Sequence, residues 1–338
     1  MALPNVFTAK CYKNEKFMNS EGARNIRILC ECTETQQRFS EEGVTATILF
    51  FGSARAKSSA DHAVAVADVE AKLAAATAGN DQKAVDQHTA RLTTLNKMKW
   101  MCEYYDKITQ LSKRVSEWSV SGVKLGKSHQ CVGVSRNKPT EENITSAALE
   151  SEDNDECGAD KDFRTIKQAI VVATGGGPGF MQAASQGASE VPGARNVGLG
   201  ISLPFEQGLN PYVTPELAFE YHYFFTRKLW MMFYCQALVV APGGLGTLDE
   251  LMEVLTLRQT GKVTKDLPVV LIGKAFWETV INWKALADFA VLNEADINDI
   301  FITDDVEAAL GFLTDKLTFQ APDTKMANSR SMHSFLAK

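Results

Sequence analysis

The sequence predicts an α/β fold in which helices flank a doubly wound parallel sheet. Short runs rich in Val, Ile and Leu alternate with helical patterns, and several of the runs end in glycine or proline. Fully apolar strands separated by helices are typical of parallel sheets that are buried on both faces. The predicted strands lie at residues 46–51, 169–173, 197–203, 238–241 and 267–273, and the predicted helices at 179–190, 226–235, 247–260 and 276–292.

The same pattern divides the chain into an N-terminal extension at residues 1–44, a single sheet-bearing domain at 45–320 and a C-terminal tail at 321–338. The domain carries a long, Ala-rich helical insertion at 61–120, where Gly79, Asn80 and Asp81 predict a turn between two helices. Residues 121–163 contain many acids and few apolar side chains, which predicts a flexible surface loop.

Composition excludes several classes of function. Of 338 residues, 45% are apolar and 22% charged, and the net charge is −6. The pI is near 5.5, so the chain has no global attraction to nucleic acid or to anionic membranes. No apolar run reaches membrane-spanning length, and the N-terminus lacks the apolar segment of a secretory signal. We expect a cytoplasmic protein, although the basic residues of 1–27 leave an organellar transit peptide open.

The cysteines predict free thiols rather than a disulfide framework or a metal site. They number seven, and only Cys30 and Cys32 are close in sequence. No second pair and no histidine cluster completes a zinc site, so we predict no metal.

The segment from Pro242 to Glu250 is the most informative part of the chain. An apolar run ends in Pro-Gly-Gly-Leu-Gly, and a helical pattern follows at once. Thr247 is predicted to be the helix N-cap, which would direct free N–H groups and the positive end of the helix dipole into the crevice above the strand. Such a crevice favours phosphate. Asp249 and Glu250 would place carboxylates on the first helical turn beside it.

Two further glycine turns follow predicted strands. Gly52 and Ser53 come directly after the first strand, where either a phosphate contact or a plain turn fits. Gly175, Gly176 and Gly177 follow the second strand. Their spacing is not G-x-G-x-x-G, which disfavours a nicotinamide site. Close packing of helix on strand explains one or two of these glycines, and approach of a phosphate or ribose explains three in a row.

Arg227 and Lys228 supply positive charge where a helix is predicted to begin. Cations on a first helical turn oppose the helix dipole and cost stability. A bound anion shared by Arg227 and Lys228 would explain them, and the alternative is that both side chains are simply solvated. Glu250 has an alternative as well. Thr247-x-x-Glu250 matches a capping box, in which the carboxylate serves only the helix start.

Together these motifs resemble the Lonely Guy family of cytokinin-activating phosphoribohydrolases, which is often labelled lysine decarboxylase. The family hallmark is Pro-Gly-Gly-x-Gly-Thr-x-x-Glu, which Pro242 to Glu250 matches in full. The family's triple-glycine loop matches Gly175 to Gly177, and its Arg-Lys pair matches Arg227 and Lys228. The resemblance covers roughly residues 45–56 and 165–315.

The resemblance implies a Rossmann-like nucleotide-binding domain that hydrolyses a nucleoside 5′-monophosphate to free base and ribose 5-phosphate. It makes Arg227 and Glu250 the catalytic pair, requires no metal or redox cofactor, and implies a homodimer or larger homo-oligomer. The residues expected to bind the small-molecule nucleotide are Gly52, Ser53, Gly175, Gly176, Gly177, Lys228, Gly243, Gly244, Gly246, Thr247 and Asp249.

The choice of substrate stays open at this stage. The insertion, with Tyr104, Tyr105, Glu117 and Trp118, resembles longer family members, so the base can differ from a cytokinin. A broad purine and pyrimidine nucleotide nucleosidase is one alternative. A carrier that binds a nucleotide or cofactor without turnover is another, because glycine turns alone would serve it.

Overall fold

The computed structural model describes residues 8–121, 168, 170–203, 208–263, 267–298 and 300–318. The predicted tail at 321–338 and, apart from residue 121, the predicted acidic loop at 121–163 lie outside these residues, as do Cys131 and Cys157. The strands are β1 (Thr47–Phe51), β2 (Val171–Thr174), β3 (Asn196–Ile201), β4 (Ala218–Tyr221), β5 (Cys235–Val240), β6 (Val269–Ile272) and β7 (Ile300–Thr303).

Within the described residues, the strands form one seven-stranded sheet in the order β4-β3-β2-β1-β5-β6-β7. Every neighbouring pair is parallel. The chain runs outward from β1 to β4, returns to place β5 beside β1, and runs outward again to β7. The predicted doubly wound α/β fold is therefore confirmed. Ligands of such sheets bind where the order reverses, which here is between the carboxyl ends of β1 and β5.

Helices connect and cover the strands. They are α1 (Glu15–Met18), α2 (Arg24–Glu41), α3 (Ser59–Ala78), α4 (Gln82–Met98), α5 (Met101–Val120), α6 (Phe180–Ser189), α7 (Phe224–Phe233), α8 (Leu245–Gln259), α9 (Lys274–Val280), α10 (Trp283–Asp288), α11 (Glu294–Asn298) and α12 (Val306–Thr318). In the part of the chain that the structure describes, no helix has both the length and the apolar character needed to cross a membrane.

The alternation of side chains in β1 builds two cores, one on each face of the sheet. Leu49 and Phe51 pack into one core with residues of α2, α7, α8, α9 and α10. Ile48 and Phe50 pack into the other with residues of α5, α6 and α12. All five residues of β1 are buried, because helices cover both faces of a central parallel strand.

The helical insertion contains α3, α4 and α5. The predicted turn is confirmed: Gly79 ends α3, Asn80 takes a left-handed φ of 54°, and Asp81 accepts a hydrogen bond from the N–H of Ala84 at the start of α4. Most of α3 and α4 is exposed. Helix α5 instead buries a full stripe of side chains, from Met101 to Ser119. It is therefore part of the core.

Two details of the predicted elements were wrong. The helix predicted at 276–292 is two short helices, because Ile281 is extended and the side chain of Asn282 accepts a hydrogen bond from the N–H of Ala285 to start α10. Strands β4 and β7 were not predicted. Both are four-residue strands at the edges of the sheet, where partial exposure weakens the apolar signal.

Candidate active site

The first two hallmark glycines, Gly243 and Gly244, lie in the turn between β5 and α8, and the third, Gly246, is the second residue of α8. Helix α8 begins at Leu245, and its N-cap is Gly244, which has extended backbone and no side-chain cap. The prediction that Thr247 is the N-cap is therefore wrong, and the capping-box explanation of Glu250 fails with it. A threonine has to lie outside the first turn to cap it. Thr247 lies within that turn and is buried.

The side chain of Thr247 instead explains why residue 243 is a glycine. A Cβ atom on Gly243 would lie 2.1 Å from Oγ1 of Thr247, so only glycine fits there. Gly244 and Gly246 have the opposite surroundings. A Cβ on either would meet no atom within 4 Å, and both residues are exposed. The N-terminal turn of α8 is therefore bordered by open space.

Arg227 is held at the start of α7. Its N–H donates to the carbonyl of Tyr223, and its Nε donates to the carbonyl of Leu199 in β3, at 2.8 Å. The residue is only 8% exposed. Gly175 makes this position possible, because a Cβ on Gly175 would lie 2.5 Å from Nη2 of Arg227. One glycine of the triple is thus required by the arginine side chain.

Arg227 and Glu250 come together from two different helices. Nη2 of Arg227 lies 3.9 Å from Oε1 of Glu250, and both side chains are largely buried. The two groups form an ion pair, but the distance between them exceeds the length of a hydrogen bond. Burial raises the pKa of Glu250 above its ordinary value, while the charges of Arg227 and Lys228 oppose the shift. Burial and the neighbouring cation therefore act on the pKa of this carboxyl group in opposite directions.

Lys228 pairs with two other carboxylates of α8. Its Nζ lies 2.6 Å from Asp249 and 2.8 Å from Glu253. Burial lowers the pKa of Lys228, but the hydrogen bonds to these two carboxylates outweigh burial and raise it above the ordinary value. Asp249 and Lys228, both expected to bind substrate, therefore bind each other.

The other two glycines of the triple shape the loop after β2. Gly176 has a left-handed φ of 70°, and a Cβ there would lie 2.4 Å from Leu209. Its carbonyl and that of Gly177 accept hydrogen bonds from Nδ2 of Asn210. Its N–H donates to Oγ1 of Thr174. Hydrogen bonds to Asn210 and Thr174 thus hold the loop in place.

Gly52 and Ser53, directly after β1, contact the turn after β5 and the start of α6. A Cβ on Gly52 would lie 2.7 Å from Phe180 and 2.9 Å from Ala241, so the glycine permits tight packing. The N–H of Ser53 donates to the carbonyl of Pro242, and its own carbonyl accepts from the N–H of Phe180. Its hydroxyl accepts from the N–H of Arg55. These contacts join the turns after β1 and β5 to the start of α6.

A cavity of about 160 Å³ opens beside Arg227 at the carboxyl ends of β2, β3 and β4. Its walls are Gly175, Gly177, Met181, Gly200, Ile201, Leu203, Gly208, Leu209, Glu220, Phe224 and Arg227. Glu250 is not in the wall, but its partner Arg227 is. Among the described residues, no cluster of His, Cys, Asp and Glu could hold a metal ion.

Two residues near Arg227, Glu31 and Glu220, are not predicted by any sequence motif. Glu31 of α2 accepts hydrogen bonds from the N–H of His222, at 2.7 Å, and from the hydroxyl of Thr226. Glu220 lies in the cavity wall. Glu31 is 195 residues from Thr226, and no local pattern reports a contact at that separation. Glu220 lies in the unpredicted strand β4.

Comparisons with known proteins agree with the motifs. Residues 181–313 match the model of the family described as possible lysine decarboxylase, which bears out the predicted resemblance. No curated protein matches the chain. Among solved structures, the molybdenum cofactor binding protein from the phototrophic bacterium Rippkaea orientalis is similar at 23% identity, over 44% of this chain and 78% of that one. The TM-score is 0.31, so this likeness supports no further conclusion.

Proposed function

We propose that this chain, whose residues 181–313 match the model of the family described as possible lysine decarboxylase, hydrolyses the N-glycosidic bond of a nucleoside 5′-monophosphate. The products are a free base and ribose 5-phosphate. The observation that carries the proposal is the approach of Arg227 to Glu250, at 3.9 Å, beside a cavity that Arg227 also lines. A carrier of nucleotides would need a cation for the phosphate, but it would not need a buried carboxylate next to that cation.

The chemistry fits this pair of residues. As the bond between C1′ and the base nitrogen breaks, its electron pair leaves with the base and positive charge builds on the ribose. The carboxylate of Glu250 stabilises that charge and orients a water molecule toward C1′. The water oxygen bonds to C1′, one water proton goes to the departing base nitrogen, and the other stays on the new hydroxyl group. Arg227 stabilises the negative charge on the leaving base.

The phosphate group is assigned to the open N-terminal turn of α8. Gly244 and Gly246 leave space in front of the first N–H groups of this helix, where the dipole favours an anion. Helix α8 also carries Glu250 one turn further on, so one rigid element would hold the phosphate and the carboxylate at a fixed separation.

Release of free base tests the proposal. The protein is incubated with AMP, CMP and isopentenyl-AMP, and the free base is measured by chromatography. We expect release from at least one nucleotide. Preference for isopentenyl-AMP would identify a cytokinin-activating enzyme, and similar rates with AMP and CMP a broad nucleosidase. Tight binding of all three without any release would overturn the proposal in favour of a carrier.

The variant Glu250→Gln tests the role of the carboxylate. Loss of the negative charge should lower kcat by about 100-fold or more and leave nucleotide affinity within a few-fold, because fixed charges contribute mainly in the transition state. The matched control is Glu253→Gln, which makes the same change one helical turn later, where the carboxylate contacts Lys228. Equal activity of the two variants would remove Glu250 from the mechanism.

A further inference from the structure

The first described residues of the chain carry a net charge opposite to that of the rest. Residues 8–30 contain five basic side chains and two acidic ones, a net charge of +3, whereas the whole chain is at −6. The remaining residues therefore share a net charge of −9. A local excess of positive charge attracts anionic partners even when the protein as a whole is acidic. We call residues 8–30 the N-terminal segment.

Most of the basic side chains of the N-terminal segment are exposed to solvent. The exposed ones are Lys10, Lys13, Lys16 and Arg24. Within the part of the chain that the structure describes, none of these four forms an ion pair with a carboxylate. Their positive charges are therefore available to a partner.

Large apolar side chains are exposed in the same segment. They are Tyr12, which is 64% exposed, Phe17 (40%), Ile26 (40%) and Leu29 (64%). Ile26 and Leu29 are three residues apart in α2, so they lie on one face of that helix. Single apolar residues are common on protein surfaces, but a group of them within one short segment indicates an interaction surface.

Arg27 holds the N-terminal segment in a defined shape. Its Nη1 donates to the carbonyl of Met18 at 2.6 Å and to that of Ser20 at 2.7 Å. Its Nη2 donates to the hydroxyl of Tyr223 at 3.4 Å. These bonds tie the end of α1 to α2, and α2 to the residue before α7. The basic and apolar side chains are therefore presented on a folded surface.

We propose that the N-terminal segment binds the surface of an anionic membrane. Its basic side chains contact the negative lipid headgroups, and Phe17, Ile26 and Leu29 enter the boundary between headgroups and acyl chains. The two aliphatic side chains favour lipid over nucleic acid. Nucleic acid offers phosphates to the cations and bases to aromatic rings, but it offers no apolar phase to Ile26 and Leu29.

Sedimentation with lipid vesicles tests the proposal, and it requires no nucleotide, so it is independent of the proposed hydrolysis. The full chain is mixed with vesicles of phosphatidylcholine alone and with vesicles that contain about 30% phosphatidylserine. We expect binding to the second kind to be about tenfold tighter or better, because the headgroups attract the basic side chains. Raising the salt from about 0.1 M to 1 M should abolish most of this difference by screening. Equal binding to both kinds of vesicle, or no binding to either, would overturn the proposal.

Removal of two positive charges tests the role of the basic side chains. Lys13→Gln/Lys16→Gln should weaken binding to phosphatidylserine vesicles by about 20-fold, since each charge near such a surface contributes about fivefold. The matched control is Lys83→Gln/Lys97→Gln, which changes the net charge equally at two exposed positions of α4, a helix without a large exposed apolar side chain. It should bind within about twofold of the parent protein. Equal losses in the two double variants would show that only the overall charge matters, against the proposal.

Leu29→Ser tests the apolar contact. Binding should weaken by about fivefold or more, because the serine side chain gains little from leaving water. Val64→Ser is the control, at a 71% exposed position of α3, and it should bind as the parent protein does. Circular dichroism of each variant shows that the fold is retained. Unchanged binding of Leu29→Ser would contradict the insertion of apolar side chains.

Two other partners would give different results. If the protein binds a single-stranded uridine oligonucleotide and no vesicles, and Lys13→Gln/Lys16→Gln weakens that binding, the surface belongs to nucleic acid. If it binds no vesicles and Leu29→Ser converts a dimer to a monomer in size-exclusion chromatography, the surface belongs to a second copy of the chain. Either result would overturn the assignment to a membrane.

Discussion

Glu250 is the residue whose chemistry depends most on its surroundings. The sequence offers it as either a helix-capping group or a reactive carboxylate, because both uses fit a glutamate three residues after a threonine. The structure removes the capping use, since Gly244 is the N-cap of α8. It then places the carboxylate 3.9 Å from Arg227 in a largely buried position. A group that is buried beside an opposite charge is a candidate for function on physical grounds.

The raised pKa of Glu250 predicts the acid limb of the pH profile. Burial raises this pKa above the ordinary value of 4.5, and the proposed reaction needs the ionised form. As the pH falls, Glu250 therefore takes up its proton earlier than an ordinary glutamate, and kcat should decline at a pH above 4.5. The measurement is kcat against pH, with circular dichroism to show that the protein stays folded.

Two neighbouring charges should move this limb in opposite directions. Lys228 lowers the pKa of Glu250 and Asp249 raises it. Lys228→Met should therefore shift the limb to higher pH, and Asp249→Asn should shift it to lower pH. A limb that stays in place in both variants would show that another group titrates.

At the scale of elements, α2 supports the start of α7. Helix α7 has Tyr223 as its N-cap and no side-chain cap of its own. Glu31 of α2 holds this start from a distance, by accepting from the N–H of His222, just before the helix, and from the hydroxyl of Thr226 in its first turn. A carboxylate near a helix N-terminus is also favoured by the dipole. Thus a residue of the segment predicted as an extension holds the turn that carries Arg227.

Glu31→Gln should weaken this support. We expect the free energy of unfolding to fall by about 1–3 kcal/mol, because two hydrogen bonds lose a charged acceptor. kcat should fall with it, since the first turn of α7 positions Arg227. Glu34→Gln is the control on the same helix, where the carboxylate pairs with Arg38 near the surface. Denaturant unfolding and kcat are measured together, and an unchanged kcat in Glu31→Gln would limit α2 to a structural role.

Predictability differs between elements for a physical reason. The central strands are short apolar runs whose burial follows from composition alone, and all of them were predicted within a few residues. Edge strands such as Ala218–Tyr221 alternate over only four residues and escape the same signal. The start of α8 was misplaced because three glycines precede Thr247, and Gly244 rather than the hydroxyl residue takes the cap.

At the scale of the whole molecule, the insertion is joined to the sheet by a close contact between α5 and α6. A Cβ on Gly187 of α6 would lie 2.0 Å from the carbonyl oxygen of Thr109 in α5. The hydroxyl of Ser112 also donates to the carbonyl of Ala184. The two helices therefore approach at the level of their backbones, and α5 fills one of the two cores.

Gly187→Ala should destabilise the protein although alanine is the better helix former. The added methyl group has to push the helices apart, and such overpacking costs about 1–3 kcal/mol. Gly311→Ala in α12 is the matched control: its Cβ would meet no atom within 4 Å, and we expect a gain of about 0.5–1 kcal/mol. Thermal or denaturant unfolding measures both. Equal shifts in the two variants would mean that α5 does not pack closely on α6.

The sequence by itself determined the fold class, the central strands, the turn within the insertion and the motif residues Arg227 and Glu250. These features depend on local patterns, which can be read along the chain. Only the tertiary structure decided that Lys228 pairs with Asp249, that Gly175 makes room for Arg227, that Glu31 contacts the start of α7 and that Glu220 lines the cavity. Those contacts join residues far apart in sequence, and their geometry is set by helix packing across the sheet, which no local pattern contains.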